Sequence, residues 1–379
     1  MIAAQMKGMR RIRYALVGTG MMGQEHIRNL ALLRASGEVD AEVVAVVDPN
    51  DEMRDAALAL AGGLGNARVR AHTHHRALRV GDCDAIVLAS PNHTHRQLLE
   101  ELLPLGTAVL AEKPLCSTLA DCEALLPLIE RHSEPFWVAM EYRYMPPTAR
   151  FLERLRSGAA GRLRMLSVRE HRYPFLDKVG GWNRFSATSG GTLIEKCCHH
   201  FDLMRLITGC EPVRVFASGA QDVNHLDERL ERGVPDILDN VMAIVDFENG
   251  VRCALELCMF CEGSDPQEQL TAIGDLAKLD AFVPGPDRFR PDAGERHGAV
   301  LLSPRSRRAP ERHIVTIDER LAAAGDHHGS TYYQHQRFAR AILDGAPVEV
   351  TAADGAAAVR MGAAAQESIR TGLPVALSV

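Results

Sequence analysis

Gly18-Thr19-Gly20-Met21-Met22-Gly23 stands between an apolar run and a stretch of helical spacing. In that setting the glycines have distinct tasks. Gly18 permits a tight turn, Gly20 lets the backbone approach a pyrophosphate, and Gly23 lets a helix pack closely on a strand. The helix N-terminus then offers free N–H groups and the positive end of its dipole to phosphates. Asp48 ends the next apolar run. A carboxylate there accepts hydrogen bonds from both hydroxyls of an adenosine ribose and repels a 2′-phosphate. No arginine follows, only Pro49 and Asn50, so NAD is expected over NADP. A turn-forming role for Asp48 is the alternative.

A second cluster follows Gly190-Gly191, which opens an apolar-periodic stretch running to about Ile207. On one continuous helix Glu195, His199 and Asp202 fall near a single face. An imidazole changes protonation near neutral pH. A carboxylate one turn away can fix its tautomer and stabilise the imidazolium. His200 points about 100° away and is expected to face the core or support the site. Asp202 is expected to be a structural partner of His199 or a backbone cap. Adjacent side chains on a helix diverge, so Cys197, Cys198, His199 and His200 cannot easily share one metal.

The elements that must position these groups change character along the chain. Apolar strand runs at 12–17, 42–47, 84–89, 108–111 and 136–140 alternate with helical spacing at 21–34, 51–61, 94–103 and 119–131. That alternation predicts a doubly wound parallel sheet covered on both faces, over residues 11–145. Ligands sit beyond the carboxyl ends of such strands. Ser90-Pro91-Asn92-His93-Thr94-His95 and Glu112-Lys113-Pro114 are therefore expected to face the cofactor. From 146 to 379 the pattern becomes α+β. Pro146-Pro147 open a helix, and strands at 163–169, 213–218, 241–247, 251–259 and 269–273 predict a large, mainly antiparallel open sheet. Asn249-Gly250 is a hairpin signal. Residues 284–312, rich in Pro, Arg and Gly, read as an irregular excursion, and 332–343 and 354–369 as helices that can pack back on the first domain. Residues 1–10 read as a disordered tail without the apolar core of a signal peptide.

With these motifs the chain resembles the Gfo/Idh/MocA family of glucose-fructose oxidoreductase-like and inositol dehydrogenase-like enzymes, from about Arg11 to the C-terminus. The Gly18 loop, Ser90-Pro91 to His95, Glu112-Lys113-Pro114 and the segment from Gly190 through Glu195 and His199 to Asp202 carry the resemblance. It implies a Rossmann domain, a C-terminal α/β domain with an open sheet, and NAD(P)-dependent redox chemistry at secondary hydroxyls of sugars and cyclitols. It further implies Lys113 and His199 as the catalytic pair. Glu195 stands where the family usually has an assisting aspartate, and Cys197 where it has glycine. Trp182, Asn183 and Arg184 resemble a family W-R element. An indole face packs against the C–H face of a sugar ring, and Arg184 can donate to hydroxyls. Tyr142, Arg143 and Tyr144 are expected to line the pocket, and His328, Tyr332 and Tyr333 are candidates to reach it. Lys113 is itself a possible base if burial depresses its pKa.

Composition narrows the function class. A formal net charge of −6 gives no support to a nucleic-acid partner. No apolar run reaches membrane-spanning length. Nine cysteines, an odd number, are expected to be free thiols in a reducing cytoplasm. Cys258-x-x-Cys261 lacks a second ligand pair for zinc, and His72, His74 and His75 read as a solvated loop, so no metal is expected. Arg305, Arg307 and Arg308 likewise read as a solvated loop. The expectation is a cytoplasmic NAD-dependent dehydrogenase for a small polar sugar or cyclitol, assembled as a homodimer or homotetramer through the C-terminal sheet. A lyase or glycoside-cleaving enzyme that recycles tightly bound NAD is the alternative, followed by a non-catalytic NAD-dependent sensor. Net NADH formation separates the dehydrogenase from the recycling enzyme, and the presence of Lys113 and His199 argues against the sensor.

Overall fold

The computed structural model describes residues 10–289, 297–306 and 308–377. Of the tail expected at 1–10, residues 1–9 lie outside the described residues, as do 290–296 of the expected excursion and Arg307. In the N-terminal part β1 (Arg11–Val17), α1 (Met21–Ser36), β2 (Asp40–Val47), α2 (Asp51–Gly63), β3 (Arg70–His72), β4 (Ala85–Leu88), α3 (His95–Leu102), β5 (Ala108–Glu112), α4 (Leu119–Glu130) and β6 (Phe136–Ala139) alternate. The strands form a parallel sheet in the order β3-β2-β1-β4-β5-β6. Chain order reverses between β1 and β4, and a crevice opens at the strand ends on either side of that point. Strands β4, β5 and β6 are buried along their whole length, as their unbroken apolar sequences require.

The second part begins with α5 (Pro146–Arg156) and β7 (Leu163–His171). Three short helices follow: α6 (Ser186–Ser189), α7 (Thr192–Glu195) and α8 (Cys198–Thr208). Then come β8 (Pro212–Ala220), β9 (Asn240–Phe247), β10 (Arg252–Cys258), β11 (Glu268–Gly274), β12 (Ala277–Val283), β13 (Gly298–Pro304) and β14 (Glu311–Val315). The chain ends with α9 (Glu319–Ala322), α10 (Ser330–Asp344), α11 (Ala352–Thr371) and β15 (Val375–Ala376). The nine-stranded sheet runs β14-β13-β12-β11-β7-β10-β9-β8-β15 and is antiparallel except where β7 meets β10. Its strands alternate faces. In β9, Val241, Ala243 and Val245 are buried while Met242 and Ile244 are exposed. α10 packs on α1, and α11 spans α4, α8 and β8, so the C-terminal helices clamp the two sheets together.

Two expectations need correction. The excursion at 284–312 contains β13 and the start of β14. The apolar run Ala299-Val300-Leu301-Leu302 pairs with β12 and overrides the surrounding Pro and Arg composition. The helix expected from Gly191 to Ile207 is interrupted at Lys196 and Cys197. There the Cys197 N–H reaches back five residues to the Thr192 carbonyl (3.2 Å), a widened turn. It rotates α8 relative to α7, and the single Glu195–His199–Asp202 face is lost.

Candidate active site

Gly18 has a φ of +89°, and a Cβ there would lie 2.4 Å from the Ser90 nitrogen, so only glycine lets this loop cross the end of β4. A Cβ on Gly23 would lie 2.3 Å from the Gly18 carbonyl oxygen, which fixes how closely α1 approaches the loop. Gly20, the N-cap of α1, has open space where its Cβ would be and no side-chain cap. The first N–H groups of α1 therefore lack helical acceptors. Gly18, Gly20, Met21, Met22 and Asp48 all line one cavity of about 910 Å³. The Asp48 carboxylate accepts from Thr19 N (2.7 Å) and Asn50 N (2.9 Å), so it forms the turn and also faces the cavity. An open helix N-terminus beside an uncapped glycine, with a carboxylate at the next strand end, fits a dinucleotide.

The later strand ends divide into lining and support. Ser90, Pro91, Asn92, Glu112 and Lys113 line the cavity. Thr19, Gly23, His95 and Pro114 stand behind it. His95 is buried, with its ring nitrogens 3.0 Å from the carbonyls of Pro114 and Ser90, so it ties two strand-end loops together and does not face the cavity. Asn92 donates to the Ser189 carbonyl (2.8 Å) and to Glu195 Oε2 (2.6 Å). That links the β4 end to α6 and α7. Glu112 Oε1 meets His26 Nε2 at 2.8 Å.

At the inner end of the cavity Lys113 Nζ donates to the Glu195 main-chain carbonyl (2.9 Å) and lies 3.7 Å from Glu195 Oε1. Lys178 Nζ lies 3.9 Å from the same oxygen and over the Trp182 ring. Burial works to lower the Lys113 pKa, but Glu195 and the acids beyond it outweigh burial and hold it above the usual lysine value. That direction favours the ammonium form of Lys113 at neutral pH and runs against the burial-depressed pKa that a lysine base needs. The His199 ring lies flat on Tyr142, with centroids 4.0 Å apart. Burial, then the charges of Lys113 and Lys196, push its pKa well down, so the imidazole is neutral. Its carboxylate neighbour is Glu141, with Nε2 to Oε1 3.5 Å. Glu195 bonds to Asn92 and faces the two lysines, which corrects its expected part in setting the His199 tautomer. The widened turn between α7 and α8 is the cause.

Other expected contacts also move. Asp202 forms a buried two-pronged ion pair with Arg143, Oδ2 to Nε 2.6 Å, and does not serve His199. Arg143 and Tyr144 consequently stand outside the cavity, Tyr144 donating to Glu349. Arg184 is buried against Asp177 (2.6 Å) and Glu228 (3.2 Å), also outside it, whereas Trp182 and Tyr142 line it. His200 Nε2 meets Glu170 Oε2 at 2.8 Å. Burial alone would raise Glu170, but Lys196, Arg172 and His200 hold it far below the carboxylate range. His328 bonds to the Pro284 carbonyl and Tyr332 to Glu38. It is His327 that reaches the cavity, with Asp326, Glu141, Arg172, Tyr173 and Lys178. Of these, Glu141 was findable, since it follows β6 on the ligand side of a parallel sheet. No motif marks the rest.

Comparison with known proteins follows the same two halves. The family model "Oxidoreductase family, NAD-binding Rossmann fold" matches residues 12–140, and "Oxidoreductase family, C-terminal alpha/beta domain" matches 153–377. The rhizopine catabolism protein MocA of Rhizobium meliloti is 31% identical over 204 residues, 54% of this chain and 59% of that one. Inositol 2-dehydrogenase of the same species is 29% identical over 211 residues, 55% of this chain and 58% of its own. The chain thus spans about three-fifths of these two relatives. Inositol 2-dehydrogenase 1 of Saccharopolyspora erythraea aligns further, 28% identical over 90% of this chain and 97% of its own. Among solved structures, levoglucosan dehydrogenase in complex with NADH and levoglucosan superposes with a TM-score of 0.80 at 20% identity, covering 98% of this chain and all of that one. A myo-inositol dehydrogenase from Corynebacterium glutamicum gives 0.74 at 23% with the same coverage. These two are likenesses of fold.

Proposed function

The chain belongs to the Gfo/Idh/MocA family of oxidoreductases, and from that premise we propose that it is an NAD-dependent dehydrogenase oxidising a secondary hydroxyl of a sugar, sugar derivative or cyclitol. One observation carries the reading. Lys113, His199 and Glu195 open into the same cavity as the Gly18–Gly20 loop and Asp48. The groups for proton removal and those for the dinucleotide thus share one space. Thr19, Gly23, His95 and Pro114 support the cofactor residues from behind, and Trp182 and Tyr142 offer ring faces to the C–H side of a polyol.

When bound, the nicotinamide supplies the hydride acceptor. The protein's residues do the rest. Neutral His199 has a lone pair for the hydroxyl proton. The Lys113 ammonium stabilises the oxygen as negative charge develops on it. Glu195 holds Lys113 and Lys178, and Asn92 fixes Glu195. Asp48 favours NAD over NADP by opposing a 2′-phosphate. The outer face of the large sheet exposes Met242 (65%) and Ile244 (53%), a surface suited to pairing with a second copy. The test is an NAD-reduction screen across sugars, glycosides and inositols. Activity with none of them would count against the reading.

A further inference from the structure

From His199 a line of two acids and one further histidine, Glu141, His327 and Glu25, runs on through groups that the reaction described so far does not use. His199 Nε2 faces Glu141 Oε1 at 3.5 Å, and His327 Nε2 faces the same oxygen from the other side at 3.9 Å. His327 Nδ1 is 2.9 Å from Glu25 Oε1 on α1, which also accepts from Thr331 at 2.7 Å. Glu141 and His199 are each 2% exposed, while the His327 side chain is 21% exposed at the cleft. Glu141 Oε2 and His199 Nδ1 are buried with no hydrogen-bond partner. Buried polar atoms without partners are costly and mark places where a proton, water or substrate completes the bonding. Both separations are longer than a hydrogen bond, as catalytic contacts commonly are before substrate binds.

Resting on the dehydrogenase reading, we propose that the proton taken from the substrate hydroxyl leaves through His199, Glu141 and His327, making Glu141 and His327 the proton carriers of this site. The substrate O–H bond breaks and a new N–H bond forms at His199 Nδ1, the nitrogen without a partner, giving an imidazolium that still carries its Nε2 proton. His199 Nε2 then gives a proton to Glu141 Oε1. Glu141 passes it to His327 Nε2, and His327 releases it to solvent at the cleft mouth. The electron pair of the C–H bond goes to the nicotinamide as hydride, so the charges balance.

Proton affinity rises outward along this line. His199 is pushed well down by burial and by Lys113, Lys196, His200 and His327. Burial, with Glu112, pushes the Glu141 carboxyl up to about 7 against the pull of His327 and Lys113. Burial would lower His327, but Glu25, Glu141 and Asp326 raise it to about 9. From His199 onward each transfer is downhill until the release to solvent, and the first, from the hydroxyl, is drawn by hydride departure and the Lys113 ammonium. Since His327 must be neutral to accept, polyol oxidation should speed up as pH rises through about 9.

The experiment has two arms on the full chain. The first is an infrared pH titration of the free protein. A protonated buried carboxyl should disappear with a midpoint near 7. That component should be absent from Glu141→Gln and present in Glu268→Gln, which removes the other buried carboxyl, raised to about 8. The second arm is the pH profile of NADH formation. Glu141→Gln and His327→Ala should each slow oxidation roughly 10²-fold and lose the rise near pH 9, with NAD affinity unchanged. Imidazole in the buffer should restore His327→Ala, and Glu141→Asp should recover part of the rate. Wild-type profiles in both variants would overturn the relay while leaving the dehydrogenase standing. If wild-type protein oxidises no polyol, the dehydrogenase reading falls, and the infrared arm still decides. A Glu141→Gln protein that keeps the component with midpoint near 7, as distinct from that of Glu268 near 8, overturns the proposal.

Discussion

Lys113 Nζ donates to the main-chain carbonyl of Glu195 across 2.9 Å, joining the residue that follows β5 in the parallel-sheet part to the α7 turn of the second part. That bond sets where the ammonium stands. Its acceptor is a backbone oxygen, so the α7 turn sets the position of the lysine, and the Glu195 carboxylate 3.7 Å away keeps it charged.

Lys113→Ala should lower kcat roughly 10²-fold or more, because its proposed work is on an oxygen that becomes negative only in the transition state. NAD affinity, measured by titration, should hardly change. Near-normal turnover would remove Lys113 from the chemistry.

Asp48 leads to a preference for NAD of at least about tenfold, about 1.4 kcal/mol. Dissociation constants for both dinucleotides check it. Equal affinities, or tighter NADP binding, would contradict the role given to Asp48.

The two adjacent histidines should separate cleanly. His199→Ala should lose roughly 10²–10⁴-fold in kcat/KM. His200 instead bonds to Glu170, away from the reacting end. His200→Ala should therefore cost about 1–3 kcal/mol of stability, read from denaturant unfolding, while the folded enzyme keeps most of its activity. The reverse pattern would show that His200 is the base.

Much of this arrangement was legible in the residues, and its failures have physical causes. The parallel strands were readable because burial on both faces demands unbroken apolar runs such as Ala85-Ile86-Val87-Leu88. The glycine loop was readable because its three glycines answer to separate steric demands. β13 was hidden because ladder pairing with β12 outweighs local composition. The partner of His199 was misread because helical spacing assumes a continuous helix. One widened turn at Lys196–Cys197 redirects Glu195 to lysines and leaves Glu141 beside His199. Arg184 was placed in the pocket on resemblance, whereas two local carboxylates draw it away. His327 was invisible because a neighbouring histidine has the same composition and only backbone direction separates them.

Arg143 and Asp202 are both buried and paired. Arg143→Ala should cost about 3–5 kcal/mol, since it leaves Asp202 as an uncompensated buried charge. The pH–rate profile of the folded fraction should keep its shape. A changed profile at unchanged stability would return Asp202 to His199.

The central claim meets its most direct test in one assay: wild-type protein, NAD, and a panel of sugars, glycosides and inositols deuterated at the carbinol carbon. The account predicts that at least one substrate yields a ketone and an equal amount of deuterated NADH. Both products should vanish together in Lys113→Ala and in His199→Ala. No NADH from any substrate, or substrate consumed while NADH fails to accumulate, would contradict it.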